Sequence, residues 1–417
     1  MGGASEWVGR VLAAALLSLG VGCGGDPAPS GLPAAESPPV SHEVPEAPAT
    51  VAPPEEELLS PESEDARRAL SCEELRPGGL GVERSIVLGA NAPEADCGPG
   101  TGDGSGSLAL LNSGRFGATA WSVVTRGGED TGKRLQGGEA AIALLPQPRG
   151  FHVVRAPPGG TSLSVYSSEG EGLGTVPLTG SAQEPFAVAA DPRGGTLIAR
   201  WAPRADGTQV LTFQVLEAEG SPRMEPVEVL SGPARTDRFV TAGVDTKGRV
   251  LLLWPEAGSA LWAGQWRKRN GKALTPLFTF PAPTTARGGQ LVALAGGGLA
   301  LRSEGQWRSR FPSGAAEVEP APAWLASHPG SELILIRGRR ANALVPPPTF
   351  VAGSGCQESL LFFTRDGTAC GELRLPVDAG STCFQRRPGI AREGTVIQQL
   401  TRADNQCAWR WWPRLLK

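Results

Sequence analysis

Histidine is nearly missing from this chain of 417 residues, which has only His42, His152 and His328. With so few imidazoles, no H-E-x-x-H and no G-x-S-x-G, zincin and serine-hydrolase chemistry and most general-base mechanisms lack their parts. Close-set cysteines are missing too. The nearest pair is Cys370 and Cys383, so the C-x2-C knuckle of a structural zinc site is absent and no metal is expected. Charged residues are only 19% of the chain. After Arg67 no uncapped stretch keeps a 3.6-residue apolar period, which excludes a helical body. The longest N-terminal apolar run, Val11 to Val21, is too short to span a bilayer. One stretch, Gly127 to Arg134, follows a phosphate-cradling loop as far as Lys133. Arg134 then stands where a magnesium-binding hydroxyl is needed, and LQGGEAA follows in place of a helix, so it reads as a hairpin loop and no cofactor is expected.

What the chain does have is turn residues, Gly 57 and Pro 38, between short runs of Val, Leu, Ile and Thr. That composition favours many short strands. The clearest unit is Phe186 to Trp201, FAVAADPRGGTLIARW, two apolar runs around an Asp191-Pro192-Arg193-Gly194-Gly195 corner. It recurs from Phe239 as FVTAGVDTKGRVLLLW, with Asp245, Gly248 and Trp254 matching Asp191, Gly194 and Trp201. Corners of this kind are placed at 112–114, 148–150, 192–194, 246–248, 296–298, 328–330 and 392–394, with glycine intervals of 32 to 64 residues. Second hairpins follow at 161–180 and 360–377.

The first residues form an export leader. Arg10 precedes the apolar run and Gly22-Cys23 ends it, a pattern that resembles the lipobox of bacterial lipoproteins, with Leu19 one step further from the cysteine than usual. The resemblance implies a signal peptide over 1–22, a lipid on Cys23, and, with Gly24 in place of a retention Asp, an outer-membrane address. The alternative is an ordinary secreted protein. Residues 24–66 carry ten acidic residues and no Lys or Arg, with Pro runs, so they are read as an extended, unfolded spacer of roughly 100 Å. The six further cysteines suit an oxidising compartment. Cys72 and Cys97 lie at the start of the body and Cys356, Cys370, Cys383 and Cys407 at its end. Cys72 with Cys97 is expected to close a short loop, and the pairing of the last four stays open.

The repeat spacing resembles that of β-propellers, in which each blade is a four-stranded antiparallel sheet. For residues 67–417 the expectation is an all-β propeller of seven blades, or six, with strands near Cys72 to Cys97 completing the last blade. A row of β-sandwiches would need units of about 100 residues. Trp201 and Trp254 are assigned to packing, His152 to a strand and His328 to a turn. Asp191, Asp206, Asp245 and Asp366 are assigned to turn capping, and Asp103, within GPGTGDGSGS, to a flexible loop with too few ligands for calcium.

Without the leader and spacer, 38 basic residues face 31 acidic ones. Clusters stand at Arg267-Lys268-Arg269, at Arg337-Gly338-Arg339-Arg340 and in the aromatic tail Trp409-Arg410-Trp411-Trp412. No catalytic residue is singled out. Two function classes follow: a membrane-tethered binding or assembly module for envelope proteins or glycans, or a propeller enzyme acting on carbohydrate through paired carboxylates. Nucleic acid is not an expected partner.

Overall fold

The protein is described from a computed structural model. It covers residues 68–88, 96–113, 119–124, 128–138, 141–156, 160–178, 186–233, 239–256, 258–281, 289–379, 383, 387–400 and 407–417. The expected leader, Cys23 and the acidic spacer lie outside these residues.

Among the described residues the chain forms seven four-stranded antiparallel sheets and one three-stranded sheet. Sheet 1 comprises Asp96–Gly102, Leu108–Ser113, Thr119–Val124 and Asp130–Gly138; sheet 2 comprises Ala141–Pro146, Phe151–Arg155, Thr161–Tyr166 and Gly172–Leu178. Sheet 3 is Phe186–Ala190, Thr196–Pro203, Thr208–Leu216 and Val227–Pro233, and sheet 4 is Thr241–Val244, Val250–Pro255, Leu261–Arg267 and Phe278–Pro281. Sheet 5 runs through Gln290–Ala293, Leu299–Ser303, Gln306–Phe311 and Glu319–Pro320. Sheet 6 pairs Glu332–Ile336, Ala341–Val345, Ser359–Phe363 and Ala369–Arg374. Its excursion after Val345 adds Thr349–Val351 and Gly355–Gln357, which pair with Asp378–Ala379 as the three-stranded sheet. Sheet 7 takes Gly389–Ile390, Val396–Leu400 and Cys407–Trp412 from the end of the chain and Arg84–Leu88 from its beginning.

The reason for a ring is visible in the second strands. Val250, Leu252 and Trp254 pack with sheet 3 residues such as Leu211 and Phe213. The alternate residues, Leu251 and Leu253, pack with Leu291 and Leu299 of sheet 5. Successive strand residues point to opposite faces, so a strand apolar on every position must be covered twice. Such a cluster fills every junction between consecutive sheets, and the one joining Leu108 and Leu110 to Ile397, Trp409 and Trp411 closes sheet 7 on sheet 1. A closed ring of four-stranded sheets is a β-propeller. Trp201 and Trp254 share one of these clusters, as packing residues.

The two ends of the chain meet as expected, in sheet 7, where Ile86 opposes Trp409. The cysteines differ from expectation. Cys72 is bonded to Cys370, 298 residues away, and not to Cys97, because ring closure brings the segment before the first strand against sheet 6. Cys356 pairs with Cys383 and anchors the three-stranded excursion, and Cys407 is also disulfide-bonded. The aromatic tail is core: Trp409, Trp411 and Trp412 are buried.

Five of the expected corners, 148–150, 192–194, 246–248, 296–298 and 392–394, join the first two strands of a sheet. Two do not. Ser113 ends the second strand of sheet 1 and Gly114 is not described; His328–Gly330 lies in the connection ahead of sheet 6, after the short helix Ala323–Ala326. The true corners there are Asp103–Ser107 and Arg337–Arg340. Gly127–Arg134 is not a loop throughout: its second half, from Asp130, is the start of an outer strand, with Lys133 exposed beside Glu171 at 3.6 Å.

Candidate functional site

The corners between first and second strands gather on one face of the ring, and each fastens its sheet to the next. Asp103 Oδ1 accepts the N–H groups of Ser105, Gly106 and Ser107, each at 2.9 Å. Its Oδ2 accepts the Gly150 N–H at 2.7 Å and the Ser168 hydroxyl at 2.5 Å, both from sheet 2. Asp103 is fully buried, so the expected flexible calcium-poor loop is a structural clasp. The same D-x-x-G spacing recurs at Asp191 and Asp245. Asp245 takes the Lys247 and Arg249 N–H groups on Oδ1 and the Ser313 hydroxyl of sheet 5 on Oδ2. At sheet 2, Gln147 replaces the acid, and its Oε1 accepts the Gly195 N–H at 2.6 Å. Asn342 of sheet 6 accepts the Ala295 N–H of sheet 5 at 3.0 Å. Asp206 and Asp366 cap outer turns, as expected.

Asp191 sits against a cation of the next sheet. Its Oδ1 accepts the Arg193 N–H at 2.8 Å, and its Oδ2 lies 3.1 Å from Arg269 Nη2 of sheet 4 in an ion pair lacking hydrogen-bond geometry. Complete burial pushes the carboxyl above its ordinary range, against the opposing pull of Arg269. Arg269 also reaches Glu217 at 3.4 Å. His152 is buried with both ring nitrogens engaged, Nδ1 with the Thr196 hydroxyl and Nε2 with Ala218 O, and burial lowers its pKa. It holds sheet 2 to sheet 3. His328 bonds Trp324 O within its turn.

Inside the ring, the first strands of sheets 2 to 6 enclose a cavity of about 920 Å³. That is within the size range of ligand pockets. A first strand is a sheet edge, so its open N–H and C=O groups face the channel while its side chains, Val188 or Val292 for example, fill the gaps between sheets. Among the described residues that line the cavity, Asp191 is the single carboxylate. Three cations, Arg193, Arg339 and Arg392, stand with it at the corner end. Arg392 spans that mouth: from sheet 7 it donates to Pro146 O of sheet 2 at 3.1 Å and to Pro192 O of sheet 3 at 2.7 Å. Sequence reading recognised two Arg clusters but not that Arg269 of one and Arg339 of the other meet on this face. The D-x-x-G spacing of Asp103 was the available signal for its role. Among the described residues no group of three His, Cys, Asp or Glu could hold a metal ion, and no helix is long and apolar enough to cross a membrane.

No family model matches this chain, and no curated protein matches it. Solved structures do. A streptogramin B lyase is 14% identical with a TM-score of 0.44, over 79% of this chain and 97% of that one. A structure from a study of two prolyl endopeptidases is 16% identical with a TM-score of 0.46, over 74% of this chain and 45% of that one, so the likeness spans under half of that enzyme. The WD40 domain of SCAP from fission yeast is 8% identical with a TM-score of 0.31, over 80% and 96%. The disulfides are compatible with an exported protein.

Proposed function

We propose that this chain is a non-catalytic binding module of the cell envelope, held to the outer membrane by a lipid on Cys23 and offering its channel to an envelope glycan or protein. The observation that carries the reading is the channel's inventory of acids. Carbohydrate-cleaving sites of the usual kind need two carboxylates about 5 to 10 Å apart, one to give a proton and one to attack or to activate water. Asp191 stands alone among the described lining residues and is already tied to Arg269 and the Arg193 N–H. A carboxylate so engaged is poorly placed to exchange protons with a substrate. The inner strand edges supply what binding needs, donors and acceptors held rigidly by the sheets behind them.

The test is co-sedimentation of the full chain with peptidoglycan and with acidic and neutral polysaccharides, beside Gln290→Trp, which fills the channel from an exposed inner-strand position. Retention by the wild type and its loss in the variant support the reading. Release of new reducing or unsaturated ends by the wild type would overturn it. The anchor has its own test: Cys23→Ser should leave the membrane fraction and cease to incorporate an alkyne-labelled fatty acid.

A further inference from the structure

Three guanidinium groups brought from sheets 3, 6 and 7 converge on one end of the cavity, and the balance of charge and of hydrogen bonds there is incomplete. Arg392 commits Nη1 and Nη2 to the carbonyls of Pro146 and Pro192, and Arg193 commits Nη1 to Lys247 O at 3.2 Å. Each guanidinium carries five N–H donors, so most of theirs are unused. Arg339 is the extreme case: its Nη1 is buried without an acceptor. The single lining carboxylate, Asp191, is balanced by Arg269. Asp191 also attracts Arg193 and Arg392, and Asp103 attracts Arg392 more weakly, so among the described lining residues three guanidinium groups share one carboxylate that Arg269 already pairs. Burial depresses the Arg392 pKa; the attraction of Asp191 opposes that shift, and the weaker repulsion of Arg339 adds to it.

The backbone accepts strain to present this group. Arg337 and Arg339 lie at φ +54° and +72° within one four-residue turn, a left-handed conformation that costs a side chain of this kind about 1 kcal/mol or more. A surplus of guanidinium groups over lining carboxylates and a strained turn at the end of a ligand-sized channel are both accounted for if that end seats an anion.

We propose that the Arg193, Arg339 and Arg392 end of the channel binds the oxyanion, carboxylate or phosphate, of a small or chain-end ligand. This deepens the binding-module reading and rests on it. Planar guanidinium forks match such groups in geometry, and the charge-assisted bonds gain strength where water is scarce.

The test is calorimetric titration of the full chain with inorganic phosphate and with glucuronate, glucose 6-phosphate and glucose, the last three sharing a sugar ring and differing in charge. Arg339→Gln is the variant of choice, because that side chain makes no hydrogen bond to another described residue. Phosphate and at least one anionic sugar should bind, glucose should not, and Arg339→Gln should weaken the bound anion roughly ten-fold or more. Preference between glucuronate and glucose 6-phosphate tells carboxylate from phosphate. Unchanged affinity in Arg339→Gln, binding of glucose equal to that of its charged analogues, or no binding of any anion overturns the proposal. If polymer retention is lost in Gln290→Trp but unaffected in Arg339→Gln, the module reading stands and the anion seat falls. If phosphate binds through Arg339 while no polymer is retained, the seat stands and the module reading falls.

Discussion

Replacing Asp103 by Ala tests the clasp logic of the ring most directly. The carboxylate is wholly buried and accepts three N–H groups of its own turn on Oδ1, and the Gly150 N–H and Ser168 hydroxyl of the next sheet on Oδ2. A hydrogen bond to a charged acceptor contributes roughly 1.5–3 kcal/mol, and a buried donor left unmatched costs about 1–3 kcal/mol. The bonds share one carboxylate and do not add. Loss of the turn cap and the inter-sheet bond together puts Asp103→Ala on the order of 4 kcal/mol below wild type. Asp103→Asn should lose about half as much, because its oxygen can still serve the turn while its amide opposes the Gly150 N–H, donor to donor. The assay is equilibrium urea unfolding followed by tryptophan fluorescence, which reports on rings buried at the sheet junctions. Asp206→Ala is the control, since that exposed turn carboxylate serves only Thr208, and its midpoint should not move. A loss below about 1 kcal/mol in Asp103→Ala, or equal losses in the two aspartate variants, would refute the reasoning.

Further outcomes follow from the other clasps. Arg269→Ala leaves the buried Asp191 carboxylate without its cation and should destabilise by about 3–5 kcal/mol. Because the folded Asp191 holds its proton more tightly than the unfolded one, the stability it contributes declines as pH rises from about 4 through its raised folded value. Asp191→Asn should flatten that limb of the stability curve, and superimposable curves would count against the assignment. His152 behaves in the opposite sense. Its depressed pKa keeps it neutral in the fold while the unfolded chain takes up the proton below about pH 6.5, so stability should fall between roughly pH 7 and 5 and fall less in His152→Gln. On the chain-entropy model a loop of 298 residues makes Cys72–Cys370 worth about 5.7 kcal/mol, against about 3.5 kcal/mol for Cys356–Cys383 with its separation of 27. Paired Ser substitutions should destabilise in that order, and the reverse order would contradict it.

The parts of this fold that could be read from the sequence are those written in local chemistry. Leu251-Leu252-Leu253-Trp254 announces a strand buried on both faces, and Asp191-Pro192-Arg193-Gly194 announces a corner. Where a corner lacks the usual residues, as Arg337-Gly338-Arg339-Arg340 does, the nearest Pro-Gly pair attracts the assignment instead, and Pro329-Gly330 took it wrongly. Asp103 was hidden by its glycine-rich surroundings, which look mobile until the neighbouring sheet supplies Gly150 and Ser168. Partners set by ring closure leave no local trace. Neither the bond from Cys72 to Cys370 nor the meeting of Arg193, Arg339 and Arg392 can be reached without knowing which sheets face each other across the channel.

The seventh sheet draws its outermost strand, Arg84–Leu88, from the beginning of the chain and its neighbour, Cys407–Trp412, from near the end. During synthesis, Arg84–Leu88 therefore waits unpaired while every other sheet can already be assembled. A chain cut short before Cys407 would leave an open crescent with two unprotected rims, a form prone to sticking to its own kind. Pairing of Arg84–Leu88 with Cys407–Trp412 is thus the step that removes both rims at once.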